Sequence, residues 1–306
     1  MKVLLATQKP FAAKAVEGIE SILKEAGHEV AKLEKYEAQS DLIAAAADAE
    51  ALIIRSDKVT AEVLEAAKKL KIVVRAGAGF DNVDLEAATA HGVVVMNTPG
   101  QNSNAVAELA IAMMIYMSRT QFTPATGSEI MGKKLGIQAF GNVGRLVGAK
   151  AEALGMKVKA IDPFLPAEKI IEGGAEPASS LEDLYGSCNF VSIHIPATPE
   201  TIKSIGYDLV SKMPKGACLV NTARKEVIDE DGLMKALQER EDLKYITDVM
   251  PDNYAEMKEK FGLRVFATPK KMGAQTSEAN INAGLAAARQ IVDYFSTGNT
   301  RFQVNK

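Results

Sequence analysis

Short apolar runs recur along the chain, each followed by a longer segment in which apolar residues return every three or four positions. The runs are VLLA (3–6), ALII (51–54), IVVR (72–75), VVVM (93–96), LGIQAF (135–140), KVKAI (157–161), FVSIHI (190–195), ACLVN (217–221), YITDV (245–249) and RVFAT (264–268). Most are unbroken rather than alternating, which predicts strands covered by helices on both faces, the pattern of parallel sheets. The predicted fold class is α/β, doubly wound.

No Ser/Gly-rich linker or low-complexity tract divides the chain. A glycine-rich turn that would open a nucleotide-type unit begins only near Gly136, after several strand–helix repeats without one. That offset predicts two doubly wound parallel-sheet domains, 1–100 with 277–306 and 101–276. The segment 104–119 is expected to lead as a helix into the second domain, and 277–295 to return the chain to the first.

Composition narrows the function classes. At 306 residues the chain is long enough for two cores. A net charge of −3 offers no broad attraction to nucleic acid or acidic membranes. Cys188 and Cys218 are too few for a disulfide framework and predict a reducing, cytoplasmic setting. The N-terminal MKVLLATQKPFAAK lacks the apolar core of a secretory signal. The apolar stretch 105–117 is broken by Glu108 and falls short of the ~20 residues needed to span a bilayer. His28 and His91 sit in turns without partners that would imply a metal.

The strand LGIQAF runs into FGNVGRLVGAKAEALGM and then KVKAIDP, giving strand, tight turn, helix, strand and acidic residue. Glycines in such a turn let the backbone approach a pyrophosphate at a helix N-terminus, where free N–H groups and the helix dipole favour an anion. The fingerprint reads Ala139-Phe140-Gly141-Asn142-Val143-Gly144, with alanine at the first glycine position, the one that makes the tight turn. Asp162, followed by Pro163, ends the next strand. There a carboxylate can accept hydrogen bonds from ribose hydroxyls and repel a 2′-phosphate, which points to NAD rather than NADP.

Six stretches together resemble the D-isomer-specific 2-hydroxyacid dehydrogenases: RSDKVT (55–60), VVRAGAGFDNVDLEAATAHGVVVMNTPGQNSNAVAELAIAMM (73–114), FGNVGR (140–145), IHIPATPET (193–201), MPKGACLVNTARKEVIDEDGL (213–233) and MGAQTSEA (272–279). The resemblance implies a flavodoxin-like substrate domain facing a Rossmann-type NAD domain across a cleft, and a homodimer that uses helix 105–117. It implies that Arg224 is the catalytic arginine, whose planar guanidinium grips the substrate carboxylate and polarises the neighbouring C2 carbonyl. Thr222, Ala223 and Asp248 match positions lining the nicotinamide pocket, with Gly273 and Ala274 beside them. His194, Pro196 and Thr201 match the stretch that passes the adenosine half, making His194 a structural histidine rather than an acid/base.

Within the family, the branch acting on 3-phosphoglycerate is the nearer match. The implied reaction is the NAD-dependent interconversion of 3-phosphoglycerate and 3-phosphohydroxypyruvate, the first step of phosphorylated serine biosynthesis. Backbone groups of Ala76, Gly77, Ala78 and Gly79 resemble the loop that holds the carboxylate of such substrates. Arg55, Ser56, Lys58 and Asn102 are the candidates for the distal phosphate. Glyoxylate or hydroxypyruvate reduction on the same fold, and an NAD-sensing scaffold without turnover, stay open as alternatives. Ending at Lys306, the chain is not expected to show serine feedback through an appended module.

Two positions depart from the family pattern. Relatives usually carry a glutamate in DVFxxEP and a histidine in TPHIGAST; here Asn253 stands at the glutamate position. The second stretch is TPKKMGAQT, in which the histidine position is Lys271 counted from KMGAQT and Lys270 counted from TP. The longer match favours Lys271. A lysine needs no carboxylate to select a tautomer, so the paired loss is coherent. An ammonium can donate the proton that a developing alkoxide needs and stabilise its charge. Free lysine titrates near ~10.4, so the oxidising direction calls for burial and neighbouring cations that favour the neutral amine.

Overall fold

The computed structural model describes residues Met1–Lys306, which fold as two compact units: Met1–Asn102 with Gln275–Lys306, and Ser103–Ala274. The first unit holds β1 (Lys2–Thr7), β2 (Glu29–Glu34), β3 (Ala51–Ile54), β4 (Ile72–Arg75) and β5 (Val94–Asn97) in one parallel sheet of order β2-β1-β3-β4-β5. Its unbroken apolar runs serve two cores. Leu4, Ala6, Leu52, Ile54 and Val73 face one helical layer with Val63 and Leu64. Val3, Leu5, Ile53, Ile72 and Val74 face the other, against Ile19 and Leu23 of helix Ala13–Glu25 and Ala287 and Ile291 of helix Ser277–Thr297. Burial of each large side chain contributes ~1.5–3 kcal/mol before chain entropy is subtracted, so the second layer ties the returning segment to the first unit.

The apolar runs did not predict β2. Its sequence EVAKLE alternates charge with small or apolar residues and buries none of them, as an edge strand can. The opposite edge, β5, is covered by the segment Gln303–Asn305. Met96 bridges Gln303, the Val304 N–H donates to the Val95 carbonyl at 2.9 Å, and Val95 N–H donates to Asn305 Oδ1 at 2.9 Å.

The second unit holds β6 (Lys134–Gln138), β7 (Lys157–Ile161), β8 (Glu176–Pro177), β9 (Phe190–Ile193), β10 (Cys218–Asn221), β11 (Lys244–Thr247) and β12 (Val265–Ala267). The order β12-β11-β10-β9-β6-β7-β8 is parallel throughout. The chain starts at β6, builds outward through β8, then crosses back to β9 and builds the other way. The switch lies between β6 and β9, and ligands of such sheets bind at the carboxyl ends there. Two residues long and half proline, β8 carries too little pattern to be foreseen. At the far edge, β12 spends its free groups on side chains: Gln121 Nε2 and Lys258 Nζ donate to the Val265 carbonyl, and the Ala267 N–H donates to the Tyr254 hydroxyl.

Helix Ser103–Ser118 packs Ala107, Ala110, Met114 and Met117 into the core of this unit. No helix is long and apolar enough to cross a membrane.

Candidate active site

The strand-to-helix turn after β6 keeps its shape without its first glycine. Ala139 adopts φ +72°, the left-handed conformation that a Cβ disfavours by ~1–2 kcal/mol. The turn is clasped from β7, where the Phe140 N–H donates to Asp162 Oδ2 at 2.8 Å and the Ala139 N–H to the Ile161 carbonyl at 2.9 Å. Asp162 Oδ1 accepts the Phe164 N–H at 2.9 Å. Asp162 therefore braces the turn as well as ending the strand.

The two glycines that remain have different reasons. A Cβ on Gly144 would collide with the Ala139 carbonyl oxygen, whereas one on Gly141 would meet no protein atom within 4 Å. Gly144 serves packing, and Gly141 leaves the backbone open where helix Asn142–Ala153 begins, with Asn142 and Val143 in its first turn. This is the cradle a dinucleotide pyrophosphate requires.

His194 follows β9, its Nε2 lying 3.0 Å from Ser192 Oγ, and burial lowers its pKa to about 4. It is a neutral structural imidazole near neutral pH. Pro196 is exposed, and Thr201 Oγ1 donates to its carbonyl at 2.6 Å while accepting the Thr198 N–H at 2.7 Å, which closes the 196–201 loop on itself.

After β10 the chain brings two cations together. Arg224 Nη1 donates to the Ala223 carbonyl at 3.0 Å, and Lys271 Nζ donates to the same oxygen at 3.3 Å. Asn221 sets this bend: its Oδ1 accepts the Ala223 N–H and its Nδ2 donates to the Arg224 carbonyl, both at 2.9 Å. The Thr222 hydroxyl beside them is buried with no partner within the chain, an orphan suited to a bound polar group.

The loop carrying Lys271 is held by Asp248, which is fully buried. Its carboxylate accepts Met272 N–H at 2.6 Å, Gly273 N–H at 2.8 Å and the Thr268 hydroxyl at 3.0 Å. Asp248 thus faces the loop, and Gly273 is tight because a Cβ there would lie 3.0 Å from Asp248 Oδ2. Ala274 ends the unit, half-buried. Lys270 is exposed, and its carbonyl, not its ammonium, is engaged by Thr268. Lys271 is exposed as well, so the burial expected of it is absent. Asn253 opens helix Tyr254–Phe261, its N–H donating to Glu230 at 3.2 Å.

In the first unit, Ala76–Gly79 follow β4. The Ala76 N–H donates to the Ile54 carbonyl, Gly77 accepts the Thr98 N–H at 2.9 Å, and Asn97 Nδ2 donates to the Ala78 carbonyl at 2.6 Å. A Cβ on Gly77 would overlap the Arg75 guanidinium, so this glycine lets Arg75 lie against the loop. Ser56 and Lys58 are exposed after β3, Arg55 is half-buried, and Asn102 is half-buried after β5. No cluster of three or more His, Cys, Asp or Glu is arranged to hold a metal, and burial pushes the Cys218 thiol up to about 12, leaving it inert.

The chain belongs to the D-isomer specific 2-hydroxyacid dehydrogenase family, whose catalytic-domain model matches residues 9–305. It is 37% identical over 287 residues to D-3-phosphoglycerate dehydrogenase of Rattus norvegicus, covering 89% of this chain and 53% of that protein. With the enzyme of the same name from Methanocaldococcus jannaschii, identity is 37% over 268 residues, 83% of this chain and 51% of that one. The chain spans about half the length of these curated relatives. Among solved structures, NAD+-bound 3-phosphoglycerate dehydrogenase of Entamoeba histolytica matches with 50% identity and a TM-score of 0.89, covering 100% of this chain and 99% of that one.

Proposed function

We propose that the chain is an NAD-dependent dehydrogenase interconverting 3-phosphoglycerate and 3-phosphohydroxypyruvate. The observation that carries the reading is the meeting of Arg224 and Lys271 at the Ala223 carbonyl, beside the orphan hydroxyl of Thr222. NAD, when bound, takes up or returns hydride at C2 of the substrate. Gly141–Gly144 would hold its pyrophosphate and Asp162 its ribose hydroxyls, with Pro163, His194, Pro196 and Thr201 along the adenosine side. Thr222, Ala223, Gly273 and Ala274 surround the nicotinamide end.

Arg224 binds the substrate carboxylate and polarises the C2 carbonyl, which favours the alkoxide as it forms. Lys271 delivers the proton to that oxygen in reduction and removes it in oxidation. Asp248 keeps the Lys271 loop in place through its three hydrogen bonds. Ala76–Gly79 and the group Arg55, Ser56, Lys58 and Asn102 are the first unit's candidates for the substrate carboxylate and distal phosphate.

We infer further a cytoplasmic homodimer. The apolar surface of Leu109, Tyr116, Phe122 and Phe266, with Phe122 69% exposed, supports the pairing. The loss of NADH absorbance with 3-phosphohydroxypyruvate, hydroxypyruvate and glyoxylate tests the activity. Preferred turnover of the phosphorylated acid is expected; absence of turnover with every 2-oxo acid overturns the reading in favour of a scaffold.

A further inference from the structure

Asp57 is 2% exposed, yet the chemistry above gives it no part. Its Oδ1 accepts the Gln8 N–H at 2.7 Å and the Tyr36 hydroxyl at 2.9 Å, and its Oδ2 accepts the Arg55 N–H at 3.0 Å. These donors come from the segments after β1, β2 and β3. Asn82, beyond β4, donates through Nδ2 to the Asp57 carbonyl at 2.6 Å and the Arg55 carbonyl at 3.2 Å. One buried residue thus gathers the carboxyl ends of three neighbouring strands and the loop beyond a fourth.

The Arg55 side chain depends on the same segments. Its Nη1 donates to the carbonyls of Lys9 and Pro10, each at 3.1 Å, its Nη2 donates to Asn280 Oδ1, and the guanidinium lies 5.0 Å from the centre of the Phe11 ring. Gln8, which Asp57 anchors, leads directly into Lys9, Pro10 and Phe11. The Asp57 carboxylate therefore fixes both the backbone of Arg55 and the bed on which its guanidinium rests. A buried carboxylate costs several kcal/mol unless hydrogen bonds compensate it, so its presence is better explained by geometry that must be held than by packing.

We propose that Asp57 is a positioning residue for the anion-binding end of the substrate, setting the place of Arg55, Ser56 and Lys58; this rests on the assignment of that group to the distal phosphate. The test compares wild type, Asp57→Asn, Tyr36→Phe, Arg55→Ala and the Asp57→Asn/Arg55→Ala double variant on 3-phosphohydroxypyruvate and on hydroxypyruvate, with NADH affinity by fluorescence and thermal stability alongside. Asp57→Asn should raise KM for the phosphorylated substrate ~10-fold or more and KM for hydroxypyruvate less than ~3-fold, with kcat nearly unchanged, the signature of lost binding rather than lost chemistry. NADH affinity should not change. Tyr36→Phe, which removes one of three donors, should act in the same direction but less.

The double variant should discriminate no worse than Arg55→Ala, because residues that act through one another are not additive. Equal KM changes on the two substrates, or a loss of stability alone in both Asp57→Asn and Tyr36→Phe, overturns the positioning role. A wild type that does not distinguish the two substrates overturns the phosphate assignment instead, and the proposal with it.

Discussion

Lys271 and Arg224 hydrogen-bond to one and the same oxygen, the carbonyl of Ala223, at 3.3 and 3.0 Å. Lys270, one residue away, turns only its carbonyl inward. Lys271→Ala is therefore expected to lower kcat in both directions by ~10²-fold, the usual loss of general acid–base catalysis. Lys270→Ala should stay within ~3-fold of wild type, since an exposed side chain with no role in the chemistry has little to lose. Steady-state rates across pH decide this; equal effects of the two substitutions would remove Lys271 from the proton-transfer role.

Asp162 holds two backbone N–H groups, of Phe140 and Phe164, at the place proposed for the ribose. Asp162→Ala is expected to weaken NADH binding and to erase the preference for NADH over NADPH, because both the hydroxyl acceptor and the charge that repels a 2′-phosphate disappear. Fluorescence titration with the two dinucleotides measures it. Equal affinities in the wild type would contradict the assignment.

Ala139 stores strain at φ +72°. Ala139→Gly relieves it and should stabilise the fold by on the order of 1 kcal/mol, after allowing for the greater freedom of glycine in the unfolded chain. Denaturant unfolding should show a higher midpoint with an unchanged slope. A lower midpoint would mean that the Ala139 methyl contributes more by packing than it costs in strain.

His194 titrates near 4 in the folded chain, below the ordinary value of 6.5, because burial disfavours the imidazolium. The unfolded chain binds more protons between those values, so this contribution to stability is complete above 6.5 and is lost as pH falls towards 4. Wild-type Tm should fall across that window, and His194→Gln should flatten part of the slope. Parallel profiles for the two proteins would show that other groups carry the acid sensitivity.

Much of this architecture was legible because buried parallel strands write themselves as unbroken apolar runs. Edge strand β2 escaped because EVAKLE is only half-buried and carries three charges, and β8 because two residues carry no period. The fingerprint revealed that Ala139 departs from glycine, but not that the turn would keep its left-handed form, which depends on the clasp from Asp162 and Ile161. Register with the family motif favours Lys271 over Lys270, while the exposure of Lys271 is not written in the sequence. Nothing in RSDKVT marks Asp57 out from its neighbours. Its role arises from Gln8, Tyr36 and Asn82, 49, 21 and 25 positions away, which only the fold brings to it.

None of the four sheet edges is left as an open template. Charged β2, the Gln303–Asn305 segment on β5, the proline of β8 and the side chains of Gln121, Lys258 and Tyr254 on β12 each spoil the row of free N–H and C=O groups that another strand would need. The native chain should therefore resist fibril growth even at high concentration, and aggregation on heating would have to wait until one of these covers has come away.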